Sequence, residues 1–252
     1  MTGGTAMTAD LVLPDVAGLT DLQTFVGRAK QIEPAGAVRL AAHGLVLAIY
    51  ASALHGGGAP TVLAMRVLAL AEPSDVDVTV PVAALTDRFA LTDRSLAPQR
   101  LNPQKLGAPI RLALPSMTAT GATWAGMVPP RTGWSVEGVL RVSDLRRAAR
   151  TGIEEVAAGT PQIAGAAAVA KLRALVWGRP LGGHAELPAG TAFAAEAFGF
   201  LGSSRSSGGI DADEVFDQEA DQDAVSLHRA GRWWRLSMTR GHVLARPTVT
   251  LT

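Results

Sequence analysis

Two adjacent tryptophans flanked by arginines are the residues whose types and spacing point most directly to chemistry in this chain. The stretch GRWWRLSMTRGH, residues 231–242, holds two of the chain's five tryptophans. Alternation along an extended strand places Trp234 and Leu236 on one face. Trp233 and Arg235 then lie on the other face, which is either exposed to a partner or covered by another part of the chain. An exposed aromatic ring beside arginine is typical of a protein interface or of a surface that stacks nucleic-acid bases.

The segment around these tryptophans is the most basic part of the chain. Five arginines and no acidic residue follow Asp223. We predict a partner-binding face made of Trp233, Arg235, Arg229 and Arg246, with His228 or Arg229 across from the tryptophan. The alternative is that Trp233 is covered and the arginines only solvate the sheet.

An acidic tract, DADEVFDQEADQD at residues 211–223, precedes this basic segment and carries seven carboxylates. Its alternating acids resemble the first ligands of a calcium loop. However, Gln222 stands where such a loop needs glycine, and His228 stands where it needs a bidentate glutamate, so we predict no metal site. We expect an acidic loop that folds back on the arginines, and its deletion is then expected to strengthen binding of an acidic partner.

Catalytic chemistry has no recognisable signature in the sequence. Phosphate-loop, dinucleotide-binding, zinc-protease and nucleophile-elbow motifs are all absent, and there is no cysteine. The five histidines are far apart, and Glu154 and Glu155 lie on the polar side of a predicted helix. We therefore predict no catalytic residue and no cofactor. An enzyme whose site forms between the two halves, with His43, His184, His228 or Asp144, remains the alternative.

Composition and charge indicate a globular protein. Apolar residues make up 48% of the 252 residues, charged residues make up 18%, and the net charge is +1. Such a small net charge means that an electrostatic partner must bind a local patch. The apolar runs are too short for a membrane span, and the amino terminus lacks the pattern of a signal peptide. We expect a cytoplasmic protein with no membrane contact.

The elements that must position these residues are helices mixed with strands. Helical spacing of apolar residues from Leu19 predicts one helix, and strands are expected on both sides of a turn at His43–Gly44. A helix capped by Ser143 and ended by Gly159 is predicted next. Thr160–Pro161 is expected to open another helix, which Gly178 ends. A three-strand meander then closes the chain.

These elements predict an α+β fold of antiparallel sheets flanked by helices, in two associated halves. We place an N-terminal half at residues 1–90, a proline-rich connecting segment at 91–133 and a C-terminal half at 134–252. Trp124 and Trp134 bracket two prolines in WAGMVPPRTGW. We predict that both rings are buried and staple the halves.

The segments LTDLQTFVGRA, WAGMVPPRTGW and GRWWRL…GHVLAR resemble a family of conserved actinobacterial proteins of unknown function. That resemblance covers most of the chain and implies no activity or ligand. The order of hairpin, helix and strand in the first half also resembles sliding-clamp subunits, although no clamp motif accompanies it. The main functional prediction is a non-catalytic protein-binding or scaffold protein, with another protein as the partner. A nucleic-acid-associated, clamp-like protein is the alternative.

Overall fold

The chain folds into helices and antiparallel sheets, as the sequence predicts. The computed structural model describes residues 9–97, 107–160, 165–202 and 224–248, and the backbone of residues 98–100. It divides into two compact units. The first unit comprises Met1–Ser52 and Met65–Met127, and the second comprises Ala53–Ala64 and Val128–Thr252. Among the helices described, none has the length and apolar character needed to cross a membrane.

The first unit places two helices beside two small sheets. Its elements are β1 (Asp10–Leu13), α1 (Val16–Ile32), β2 (Ala37–Leu54), β3 (Thr61–Ser74), β4 (Asp77–Pro81), α2 (Val82–Arg100), β5 (Ile110–Ala113) and a 3-10 turn (Thr123–Gly126). The last two residues of β2 and the first four of β3 belong to the second unit. One sheet has the order β4-β2-β3, and β1 pairs with β5 in the other. The predicted α1 is confirmed, because Leu19, Leu22 and Phe25 on its apolar face are buried.

Two expectations for the first unit are wrong. The predicted turn at His43–Gly44 lies inside β2, which continues through it as one strand of 18 residues. Gly44 has a φ of +58°, a conformation that glycine adopts without strain, so the strand passes the predicted turn without ending. The sequence VAALTDRFA at residues 82–90 predicts a short helix, whereas α2 extends to Arg100, and its apolar residues Leu85, Phe89 and Leu96 are buried.

The second unit contains the predicted meander. Its elements are β6 (Ser135–Arg141), α3 (Val142–Ala158), α4 (Ala166–Trp177), β7 (Pro180–Leu181), β8 (His184–Pro188), α5 (Gly190–Ala197), β9 (Ala224–Ala230), β10 (Trp233–Met238) and β11 (Gly241–Arg246). The strand order within this unit is β11-β10-β9-β6, so β6 lies at the outer edge of the sheet beside β9. β7 and β8 form a separate hairpin.

The helices of the second unit pack around Trp177. This ring is 2% exposed and stacks on Phe193 at 4.8 Å between ring centroids. Gly152 of α3 lies against the ring, and a Cβ atom added there would overlap it. A glycine at this position therefore lets Trp177 approach the backbone of α3.

The predicted helix ends are partly right. Gly159 and Gly178 are the C-caps of α3 and α4, as expected. Ser143 is not the N-cap of α3, because the helix begins at Val142, one residue before Ser143. Arg141 occupies the cap position and forms no side-chain hydrogen bond there. The predicted helix start at Thr160–Pro161 falls partly on residues outside the described part of the chain.

The predicted domain boundaries remain a prediction. The segment at 91–133 includes the end of α2, β5 and the 3-10 turn, and the division between the units follows Met127. Trp124 is 2% exposed within the first unit. Trp134 is only partly buried, which contradicts the expectation that both rings are buried. The acidic tract at 211–223 lies outside the described residues.

Candidate functional site

The meander gives the tryptophan–arginine stretch two distinct faces. Strand β10 pairs with β9 and β11, and this register places His228 opposite Arg235. The first face is the one that carries Trp234 and Leu236. Leu236 has no exposed surface, which agrees with the prediction that this face packs on the core. Arg235 and Ser237 point to the second face because side chains alternate along a strand.

Trp233 is buried, which is the alternative that the sequence left open for this residue. Trp233 is 7% exposed and Trp234 is 6% exposed, so both rings of the pair are buried. Strand alternation sends the two rings to opposite faces, but it does not determine what covers each face. The tryptophan pair is therefore a packing feature, and the cationic side chains near it provide the accessible chemistry.

Arg229 is separated from Arg235 by the sheet. Its guanidinium group lies over the Trp234 ring at 5.0 Å from the centroid and forms an ion pair of 2.8 Å with Glu186. Its Nε atom donates to the carbonyl oxygen of Gly231. Arg229 therefore lies on the first face with its guanidinium group already paired. Ala245 is opposite Trp234 on the first face, so the next residue, Arg246, lies on the second face.

Arg235 is held by a ring that sequence reasoning did not connect with it. Its guanidinium group lies over Trp134, 4.5 Å from the ring centroid. Among the described residues, no carboxylate forms an ion pair with Arg235, and its buried Nε atom has no hydrogen-bond partner. Burial lowers the pKa of Arg235 because the charged form loses hydration.

Two histidines complete this cluster. His228 lies in register with Arg235, and its buried Nδ1 atom has no hydrogen-bond partner in the described part of the chain. His242 pairs in register with Ser237, and its Nδ1 atom is 3.2 Å from the Ser237 hydroxyl. Burial lowers the pKa of His242, and the positive charges of Arg235 and His228 lower it further. We call Trp134, His228, Arg235, Ser237 and His242 the Arg235 face.

Exposed apolar side chains border the Arg235 face on β6. Val136 lies in register with His228 and Val139 with Ser226, and these valines are 71% and 62% exposed. The register shifts between Val136 and Gly138, which lets both valines lie on the same face although they are three residues apart. The face thus combines partly buried arginine and histidine side chains with an apolar rim.

A separate cavity of about 560 Å³ lies along α3. Its lining includes Trp177, Leu181 and Asp144, and it holds none of the histidines named for the alternative enzyme site. Glu155 at its rim accepts two hydrogen bonds of 2.7 Å from Arg179, so this carboxylate is engaged in an ion pair. Within the part of the chain that the structure describes, no group of histidine, aspartate and glutamate side chains could hold a metal ion.

Comparison with known proteins finds two domains. Residues 7–104 match the family model of a domain of unknown function, DUF8010. Residues 129–250 match that of another domain of unknown function, DUF8185. Both matches agree with the resemblance to proteins of unknown function. A comparison with curated proteins gave no match.

Solved structures with a similar fold include DNA polymerase III beta subunits. A putative beta subunit from Eubacterium rectale is 9% identical with a TM-score of 0.49, and the match covers 96% of this chain and 66% of that one. A DNA polymerase sliding clamp from Caulobacter crescentus is 13% identical with a TM-score of 0.43, at the same two coverages. The beta subunit from Thermotoga maritima is 12% identical with a TM-score of 0.44, and the match covers 96% of this chain and 65% of that one. The chain thus spans slightly less than two thirds of the length of these proteins.

Proposed function

We propose that this protein is a non-catalytic, nucleic-acid-associated binding protein whose Arg235 face contacts the phosphate backbone. The observation that carries the proposal is that Arg235 lies opposite His228, on the same face as Ser237, and forms no ion pair with a described carboxylate. Cationic side chains on a sheet face bind phosphate groups independently of base sequence.

Arg235 is partly buried and forms no ion pair with a described carboxylate. A guanidinium group that loses hydration without gaining a counter-ion destabilises the free protein, and the lowered pKa of Arg235 reflects that loss. An anion docked on the face would restore the missing interaction. Stacking on Trp134 restricts the guanidinium group before a partner arrives, so less side-chain entropy is lost on binding.

Fluorescence anisotropy with labelled DNA tests the proposal. We would titrate the full chain into a duplex and a single strand of equal length, at several salt concentrations. Both probes present the phosphate backbone that the Arg235 face is proposed to contact. The Arg235→Ala variant loses one charge-assisted contact, so we expect it to bind DNA about tenfold more weakly. The slope of log affinity against log salt concentration should decrease in magnitude by about one.

Arg147→Ala is the matched control. Arg147 lies on α3 in the same unit, is 74% exposed and pairs with Asp144, so its loss removes the same charge away from the Arg235 face. The control is expected to bind DNA nearly as the wild type does. Equal weakening by both variants would show only a general charge effect, and an absence of DNA binding by the wild type would refute the proposal.

A protein partner is the second candidate, and the exposed valines favour it. Val136 and Val139 lie on the edge strand of the sheet, where an apolar rim beside cationic groups suits a protein interface. A Val136→Ser, Val139→Ser double variant should lose a partner retained from nuclease-treated lysate. Leu175→Ser, at a residue 63% exposed on α4, is the control and should keep it. Equal retention by both variants would remove this candidate.

A further inference from the structure

We propose that His228, Arg235 and His242 form a binding site for a single phosphate group, and that the site takes up a proton when the phosphate binds. This inference rests on the proposed function, because it names the group of the nucleic acid that the Arg235 face would hold. It also predicts that the affinity for the phosphate group depends on pH, because binding is coupled to protonation of a histidine.

The register of the meander brings the three side chains to one face. His228 and Arg235 are directly opposite on neighbouring strands, where Cβ atoms are about 4.5–5.5 Å apart. His242 is opposite Ser237, two residues further along β10, so it lies diagonally across from Arg235. Its distance to Arg235 then falls in the range of diagonal neighbours, about 7–8 Å, which long side chains span. A phosphate group between them can accept hydrogen bonds from more than one of these side chains.

Unused hydrogen-bonding capacity provides an independent argument. Three buried side-chain nitrogens among the described residues lack a hydrogen-bond partner, and two of them are Nδ1 of His228 and Nε of Arg235. The third, Nε1 of Trp234, lies on the opposite face. Buried polar groups are normally satisfied, so two such nitrogens side by side indicate a polar site that the described residues do not complete.

The charges that surround His242 determine the sign of the pH effect. Arg235 and His228 face it from β10 and β9, and Arg246 extends from the same side of β11. On β6, Val136, Val139 and Arg141 lie on that side, and the carboxylate of Glu137, at the bulge, accepts a hydrogen bond from the Ser135 hydroxyl. Burial and positive neighbours disfavour protonation of His242, whereas a bound phosphate would favour it. The pKa of His242 is therefore higher in the complex, and affinity increases as the pH falls.

A dinucleotide of thymidine, with one phosphodiester, is the probe. Its charge is constant between pH 6 and pH 8, so any pH dependence arises from the protein. We would follow the histidine ring signals of the full chain by NMR during titration. The dinucleotide should shift the signals of His228 and His242 and bind at least about threefold more tightly at pH 6 than at pH 8. Thymidine, which lacks the phosphate, should shift neither signal.

Variants separate this inference from the proposed function. His242→Gln should flatten the pH dependence, and His43→Gln, at a histidine 80% exposed in the first unit, should preserve it. DNA binding that needs Arg235 but keeps its pH dependence in His242→Gln and His228→Gln would refute the phosphate site and leave the proposed function standing. Dinucleotide binding at the histidines without binding of longer DNA would refute the proposed function and leave the phosphate site standing. Unshifted histidine signals at saturation would also refute the site.

Discussion

Replacing Gly152 with alanine should destabilise the second unit, although alanine is normally the better helix residue. The added methyl group would overlap Cζ3 and Cη2 of Trp177. Carbon atoms pack best at about 3.5–4.0 Å, so the ring would have to retreat by more than about 1 Å. Trp177 cannot do so freely, because it is 2% exposed and stacks on Phe193.

The expected magnitude is the difference between two opposing contributions. Overpacking of a buried site costs up to about 3 kcal/mol, and exchanging a helical glycine for alanine stabilises by about 1 kcal/mol. We therefore expect Gly152→Ala to lower the free energy of unfolding by about 2 kcal/mol. Gly27→Ala is the matched control, because Gly27 lies exposed in α1 and an added Cβ meets nothing within 4 Å. It should stabilise the protein by about 0.5–1 kcal/mol.

Urea unfolding, followed by circular dichroism and tryptophan fluorescence, measures both variants. The two should differ by about 3 kcal/mol, well above the error of the method. In a Trp177→Phe background the overlapping ring atoms are gone, so Gly152→Ala should cost much less there than in the wild type. A Gly152→Ala protein as stable as the wild type, or an unchanged cost in the Trp177→Phe background, would refute the overlap argument.

Three further predictions concern packing, capping and pH. Trp124→Ala should lose about 3–5 kcal/mol of stability in urea unfolding because the ring is 2% exposed, and a loss below about 1 kcal/mol would contradict that burial. Asp15→Ala should lose about 1 kcal/mol, because the Asp15 carboxylate accepts a hydrogen bond of 2.8 Å from Gly18 N at the start of α1. Asp15→Ser should recover most of this loss. The folded state lowers the pKa of His242, so the unfolded state binds the proton at a higher pH than the folded state does. The free energy of unfolding should therefore fall as the pH drops through about 6.5. His242→Gln should reduce that fall in Tm, and an identical pH profile would contradict it.

Strand alternation and turn residues predicted much of the C-terminal sheet. The three-strand meander predicted near the end of the chain is present, and Gly231 adopts a φ of +56° between β9 and β10. Trp234 and Leu236 face the core as their alternation with Arg235 requires. In the first unit, helical spacing placed the apolar face of α1 correctly. These features depend on neighbours in sequence, so the sequence contains the information needed to predict them.

The wrong predictions concern elements whose limits depend on distant partners. Residues 37–41 of β2 pair with β4, and the strand then continues past Gly44 instead of turning back. A positive-φ glycine can end a strand or lie within one, and the residues that flank it do not decide between the two. Likewise, the burial of Leu96 indicates why α2 extends beyond its predicted end.

The sequence by itself determined which residues alternate between faces and which segment holds the cations. Only the tertiary structure decided that Trp233 is buried, that Arg229 is paired with Glu186 and that Arg235 lies over Trp134. The reason is that exposure and ion pairing depend on which distant segments become neighbours. Trp134 precedes β6, which joins the sheet beside β9 about 90 residues further along the chain. No local pattern specifies that pairing.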